Sequence, residues 1–306
     1  MGNVALWTLV IRILISILGI IGNTALILSL VQKQIIKLKT FEVLLLGLSV
    51  SNLEEIFIVD IYDILVVHVS ISLNVWACCS LKFLTVVGEV ASILFTVLIS
   101  VFRYQKLRDA ETRVNLPIFL DNIRYAWAMS GLCGTLALLL AAPTYVMNLD
   151  GHMKNITGTQ KCPPDFFLCH RDNCPTINRL YKYLFVIFSI LLPLLVITVS
   201  SCLIIKVLLG QKRMVKPGLG APGLEQEPKR KNKSPRIQRG TVAILAAMAL
   251  FQIDWTLYLV LHLGYSPYDF PAWSELEFLI STAYTTISPY VYGIGNNLFT
   301  LKKCRR

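Results

Sequence analysis

Trp76–Leu107 reads WACCSLKFLTVVGEVASILFTVLISVFRYQKL: a cysteine pair, then an apolar run, then a basic cluster. A helix rises about 1.5 Å per residue, so Phe83 to Phe102 alone is long enough to cross a hydrocarbon core of about 30 Å. Cys78 and Cys79 mark an end that faces a compartment permitting disulfides. Arg103, Lys106 and Arg108 mark the other end as a cytoplasmic boundary. Between them Lys82, Thr85 and Glu89 stand three and four residues apart and so share one helical face. Lipid is a costly neighbour for Lys and Glu, so that face is predicted to look into protein or water.

The rest of the chain fits a membrane setting. Its 306 residues are 55% hydrophobic and only 15% charged, with a mean hydropathy of +0.62, whereas a soluble domain carries about a quarter charged residues. The formal net charge of +11 would suggest a nucleic-acid partner in a soluble protein. Here position explains it instead, and no nucleic acid is expected. The opening MGNVALWT lacks a basic leader and continues into a full span, so the first segment is expected to stay as an anchor.

Working outward, seven apolar segments follow one another, at about Leu6–Val31, Phe41–Val67, Trp76–Leu107, Tyr125–Met147, Leu180–Leu209, Ile237–Gly264 and Glu275–Asn296. Of the 29 Lys and Arg, 22 fall on the side reached after segments one, three, five and seven. The N-terminus is therefore expected outside, the C-terminus inside, and the chain as a multi-pass protein of the plasma membrane. Residues 1–306 form a single all-α domain in this reading. It has an outer loop at 148–178, a flexible basic inner loop at 210–239 rich in Pro, Gly and Lys, and a cytoplasmic tail at 297–306.

Asn155-Ile156-Thr157 in the outer loop is a glycosylation acceptor on the lumenal side. Asn232-Lys233-Ser234 matches the same pattern but lies inside. The outer loop also holds Cys162, Cys169 and Cys174, which with Cys78 and Cys79 make an odd set of five outer cysteines. Cys133 and Cys202 fall inside spans and read as small core residues. The tail from Asn297, part apolar and part basic, is expected to lie on the membrane surface as a short interfacial helix, with Cys304 open to acylation.

Several short motifs fall in order along the spans. Gly22-Asn23 lies in the first, Leu48-Ser49-Val50-Ser51-Asn52-Leu53 in the second and Phe102-Arg103-Tyr104 in the third. Phe251 with Trp255 lies in the sixth, Ser288-Pro289-Tyr290-Val291-Tyr292 in the seventh, and Cys78 precedes Arg103 by 25 residues. Together these resemble the rhodopsin-like (class A) G-protein-coupled receptors: their GN pair, LAxAD, DRY, FxxCWxP and NPxxY motifs, and their disulfide cysteine. The departures matter. Asn52 stands where Asp is usual, Phe102 replaces the acid before the arginine, Leu257 stands at the proline position, and Ser288 replaces Asn. The first and last of these cast doubt on a sodium site. The second deprives Arg103 of its usual resting partner, unless another acid takes its place. Within the class, FRYQKLRD, the Leu-Ser-x-Ser-Asn-Leu-Glu run and the very short N-terminus are similar to the fish olfactory receptor class A-like and type 1 vomeronasal receptor branch.

That resemblance implies a chemosensory receptor for a small odorant or pheromone, acting through a heterotrimeric G protein. It implies that Cys78 bonds an outer-loop cysteine, Cys169 or alternatively Cys174, and that Arg103, Tyr104 and Tyr292 serve G-protein coupling. If the bundle packs as in that class, Trp255 and His262 approach the Lys82–Thr85–Glu89 stripe and complete a ligand site. The charge preference stays open, since Glu89 favours a cation and Lys82 an anion, and the two acting together suit a zwitterion. Further acids lie in spans, namely Glu54, Glu55, Asp60 and Asp63 in the second segment and Asp254 beside Trp255. Pro193 and Pro289 are expected to kink the fifth and seventh helices.

Two rivals remain: a non-sensory class A receptor for a small charged ligand, and a small-solute transporter with Lys82, Glu89 and Asp254 as an intramembrane relay. The transporter is disfavoured by the lack of an internal repeat. No enzyme is expected, and no cofactor or metal. The sequence has no nucleophile elbow, no glycine-rich phosphate loop and no His–Cys metal spacing, and its four His are unpaired.

Overall fold

A computed structural model describes residues 2–32, 38–62, 75–112, 122–147, 176–214, 235–265 and 273–299. Seven helices account for nearly all of them. They are α1 (Gly2–Val31), α2 (Thr40–Tyr62), α3 (Val75–Thr112), α4 (Ile123–Met147), α5, α6 (Pro235–Gly264) and α7 (Trp273–Gly295). The fifth, α5, is α-helical over Thr176–Phe185, widens to a π-helical turn over Val186–Leu191, and is α-helical again over Leu192–Met214. Leu192 N–H bonds the carbonyl of Ile187, five residues back. Pro193 accounts for the wide turn, because it has no N–H to give and its ring would press on the preceding turn of a regular helix.

The helices start and stop on local chemistry. At the start of α2, Glu42 accepts the backbone N–H of Lys39 at 3.0 Å while Glu42 N–H bonds the Lys39 carbonyl at 2.8 Å, a reciprocal cap. Asn122 caps α4 by accepting the N–H of Arg124 at 3.0 Å. At the end of α7, Leu298 N–H bonds Gly293 O at 2.8 Å and Asn297 N–H bonds Ile294 O at 3.2 Å, with Asn297 at φ 53°. That is a Schellman ending with asparagine in the left-handed position, and it fixes where Asn296 points.

In packing order, α1 lies against α2 and α7, α2 against α3, α3 against α4 and α5, α5 against α6, and α6 against α7. The long helix α3 runs through the middle, with Cys78 and Arg103 towards opposite ends. Its residues Ile93, Phe95 and Ile99 join Leu44, Leu48 and Phe251 in the main apolar core. A second cluster sets Val86 and Val90 against Ala137 and Ala141 of α4 and Phe185 of α5, where small residues let the helices close up. A Cβ at Gly47 would overlap the ring of Phe95, so α2 and α3 touch there. The outward faces stay apolar: Leu14, Ile17, Leu18 and Ile21 of α1 and Leu195 and Val199 of α5 are exposed.

Five of the seven helices are long and apolar enough on their own to cross a membrane: Leu9–Val31, Trp76–Asp109, Ile123–Tyr145, Thr176–Gly210 and Gly240–Gly264. The other two, α2 and α7, are interior and more polar. One carries Glu42, Glu54, Glu55 and Asp60, and the other a run of Ser, Thr and Tyr. The expected segments are recovered within about five residues, the larger shifts falling at the start of α1, the end of α3 and both ends of α5. That helix begins at Thr176, inside the expected outer loop, and runs to Met214. The reason is that TINRLYKYLF is amphipathic and buries Asn178 and Phe185 despite its polar residues.

Asn155, Cys162, Cys169, Cys174 and Cys304 lie outside the described residues, as do Asp63, the body of both long loops and the expected tail helix. Cys78 is buried and disulfide-bonded, and its partner likewise lies outside them. Cys79 and Cys133 are buried free thiols. Cys202, unlike the core residue its span suggests, is turned by α5 to the exposed face.

Candidate functional site

Toward the Cys78 end, α3 buries Lys82 and Glu89 and half-buries Thr85, so the stripe faces into the bundle. Thr85 spends its hydroxyl on its own helix, donating to the Leu81 carbonyl at 3.0 Å. Trp255, Tyr258 and His262 are spaced three and four residues apart, so they form one face of α6. Their rings stack in a column, with 5.1 Å between the centroids of Trp255 and Tyr258 and 4.0 Å between those of Tyr258 and His262. Tyr258 donates a hydrogen bond to Glu89, which joins α6 to α3. His262 Nε2 lies 3.6 Å from Glu277 Oε1, which joins α6 to α7. Arg12 of α1 stacks its guanidinium 4.5 Å from the ring centre of Phe278. Tyr258, between Trp255 and His262, is the member of that face linked to Glu89.

Three members of this group escaped the sequence reading as site residues: Glu55, Tyr258 and Glu277. Glu277 and Glu55 are the acids whose charges Glu89 meets. Gly88 makes the second of these possible, since a Cβ there would sit 3.0 Å from the backbone nitrogen of Glu55. A glycine next to an in-span glutamate was the available signal, because it lets α2 approach beside Glu89.

The aromatic column continues inward. Phe251 lies 5.9 Å from Trp255 and meets Tyr284 of α7 edge-on at 5.3 Å. The Tyr284 hydroxyl shares a 2.7 Å hydrogen bond with Thr96 of α3. Asp254, beside Trp255, has its Oδ2 buried without a hydrogen-bond partner. Tyr292 follows two turns below Tyr284, fully buried, with Arg103 as its charged neighbour.

Beside this column is a closed polar node. Asn52 Nδ2 donates to Asn23 Oδ1 and to Ser288 Oγ, each at 3.2 Å, and Ser92 Oγ donates to Asn52 Oδ1 at 2.8 Å. Asn23 Nδ2 reaches the Thr285 carbonyl at 3.0 Å. Four helices are thus tied by neutral groups. No member is an acid, so the node has no formal charge with which to attract a cation.

At the far end, Arg103 Nη2 donates to Asn296 Oδ1 at 3.2 Å, and the guanidinium lies over Phe41 of α2 at 3.5 Å from the ring centre. Asn296 in turn donates to the Tyr292 carbonyl at 2.9 Å. The possible substitute acid is not what fills this place: an amide and an aromatic ring hold Arg103, while Phe102 turns into the core. Tyr104 is half-buried against that core. Among the described residues, no group of three or more His, Cys, Asp or Glu could hold a metal ion.

Residues 22–292 match the model of the 7 transmembrane receptor (rhodopsin family). No curated protein matches the chain.

Proposed function

The chain belongs to the rhodopsin family of seven-transmembrane receptors and is a multi-pass plasma-membrane protein; from that premise we propose that it is a chemosensory receptor, detecting a small odorant or pheromone and activating a heterotrimeric G protein. The family is one of receptors rather than enzymes. The observation that carries the reading is the continuous column from Glu89 and His262 through Tyr258, Trp255, Phe251 and Tyr284 to Tyr292 and Arg103. It connects a polar-aromatic cluster near the Cys78 end, the kind of lining that small ligands use, to a sequestered arginine near the other end. A ligand that prefers one packing of the column over another shifts the arrangement around Arg103.

In this proposal the N-terminus and Cys78 face outward and residues 1–306 act as one receptor domain. Lys82, Thr85, Glu89, Trp255 and His262 meet the ligand, and Arg103, Tyr104 and Tyr292 meet the G protein. The proposal also pairs Cys78 with Cys169, glycosylates Asn155 and acylates Cys304. The test is expression with a promiscuous G protein and a screen against amines, amino acids, bile acids and small aromatic acids. A saturable response, abolished by Trp255→Ala at normal surface expression, is the expected result. Saturable uptake of a solute with no G-protein response would replace the receptor with a transporter.

A further inference from the structure

Gly240 lies in the second turn of α6 and is buried. A Cβ built on it would stand 3.1 Å from Asn296 Oδ1, 3.9 Å from Asn296 Cγ and 3.8 Å from the Gly295 carbonyl oxygen. The end of α7 therefore rests in a notch that glycine leaves open. Oδ1, the atom nearest the notch, is also the atom that accepts Arg103 Nη2 at 3.2 Å. The α6 backbone and the α3 guanidinium thus close on one amide oxygen from two sides. Glycine weakens a helix interior, and the notch is what this one gives in return.

Asn296 has little room to give way. Its Nδ2 donates to the Tyr292 carbonyl at 2.9 Å, so turning the side chain to spare Oδ1 breaks a second bond. Its own N–H bonds Tyr292 O at 3.1 Å, and beyond it Leu298 N–H bonds Gly293 O at 2.8 Å, which holds the backbone on both sides. A methyl group at Gly240 must push the amide aside by a few tenths of an ångström. The bond to Arg103 is already at the long end of the N–H···O range, so that displacement is enough to break it.

α6 brings no anion of its own to this end, since no Asp or Glu occurs from Pro235 to Ile253. Its hold on Arg103 runs through α7 and Asn296 instead. Successive residues of a helix are turned about 100° from one another, and neither neighbour of Gly240 in sequence is glycine. Turning α6 by one position therefore brings a side chain to a place where even a methyl group does not fit.

Resting on the receptor reading above, we infer that Gly240 is a positioning residue for Arg103: its notch seats Asn296, and the seat makes the restraint on the arginine depend on the rotational setting of α6.

The experiment uses the full-length receptor in cells and reads ligand-independent nucleotide exchange on a promiscuous G protein, normalised to receptor at the surface. Gly240→Ala should raise it about tenfold, as Asn296→Ala does, because each loses the same bond to a charged group. The double variant Gly240→Ala/Asn296→Ala should rise no further than Asn296→Ala alone, since the atom that the methyl group displaces is gone. A general loosening of α6 would add to the effect of Asn296→Ala instead. Gly240→Ser carries the same Cβ and serves in place of the alanine variant if that one fails to reach the surface. With Asn296→Ala raised, unchanged exchange in Gly240→Ala, or an additive rise in the double variant, overturns the seat alone. With neither single variant raised the seat fails as well, and a silent ligand screen beside that result removes the receptor reading too.

Discussion

Replacing Asn296 with alanine removes a side-chain hydrogen bond of Arg103, the 3.2 Å contact to Asn296 Oδ1. A hydrogen bond to a charged group contributes about 1.5–3 kcal/mol. The guanidinium keeps its stacking on Phe41 at 3.5 Å, a contact of about 0.5–2 kcal/mol, so the lower part of the first range applies. At about 1.4 kcal/mol per factor of ten, the balance between held and released Arg103 should move about tenfold toward release. The assay is ligand-independent nucleotide exchange on the G protein, normalised to receptor at the surface. Asn296→Ala should raise it about tenfold, and Asn296→Asp, which puts an anion opposite the guanidinium, should lower it below the unmodified level. Basal exchange equal to the unmodified receptor in Asn296→Ala, at equal surface expression, would refute the argument that this contact restrains the arginine.

Three further outcomes are expected. Arg103→Lys should lose most signalling and keep ligand binding, because an ammonium does not reproduce the planar guanidinium fork that the proposed G-protein contact uses; full signalling would leave Arg103 as a membrane-boundary charge. Cys78→Ala removes a disulfide, a constraint of about 2–4 kcal/mol, and should sharply reduce surface expression measured by flow cytometry. Gly47→Ala drives a methyl group into the Phe95 ring, an overpacking cost of about 1–3 kcal/mol, visible as a lower melting temperature of the purified receptor.

The helices were legible because hydropathy over a span-length window is a local property, and so was the inward face carrying Lys82 and Glu89, which follows from spacing alone. What escaped the sequence is what depends on partners far along the chain. Asn296 lies 193 residues from Arg103, and it is an amide, not an acid, placed there by the Schellman ending of α7. His262 is buried and faces Glu277 of α7, a pairing between helices that the pattern along either one does not carry. Cys202 lies in an apolar stretch with little periodicity, where composition does not distinguish core from lipid. Asn52 and Ser288 were recognised as departures from the usual residues. Their joining with Ser92 into one closed neutral node required the packed helices.

The wide turn at Val186–Leu191 has a consequence for how α5 behaves as a shaft. One additional residue in a turn rotates everything beyond it by about 100° and shifts it about 1.5 Å along the axis. The segment Thr176–Phe185 is therefore phased independently of Leu192–Met214. With the present phasing, Tyr181 places its hydroxyl 2.6 Å from the Leu140 carbonyl of α4. Closing the wide turn to a regular α-helical one would swing Tyr181 away from α4 while leaving the lower shaft and its Gln252 contact to Leu194 in place. In mechanical terms the turn is a slip clutch: the two ends of α5 need not rotate together.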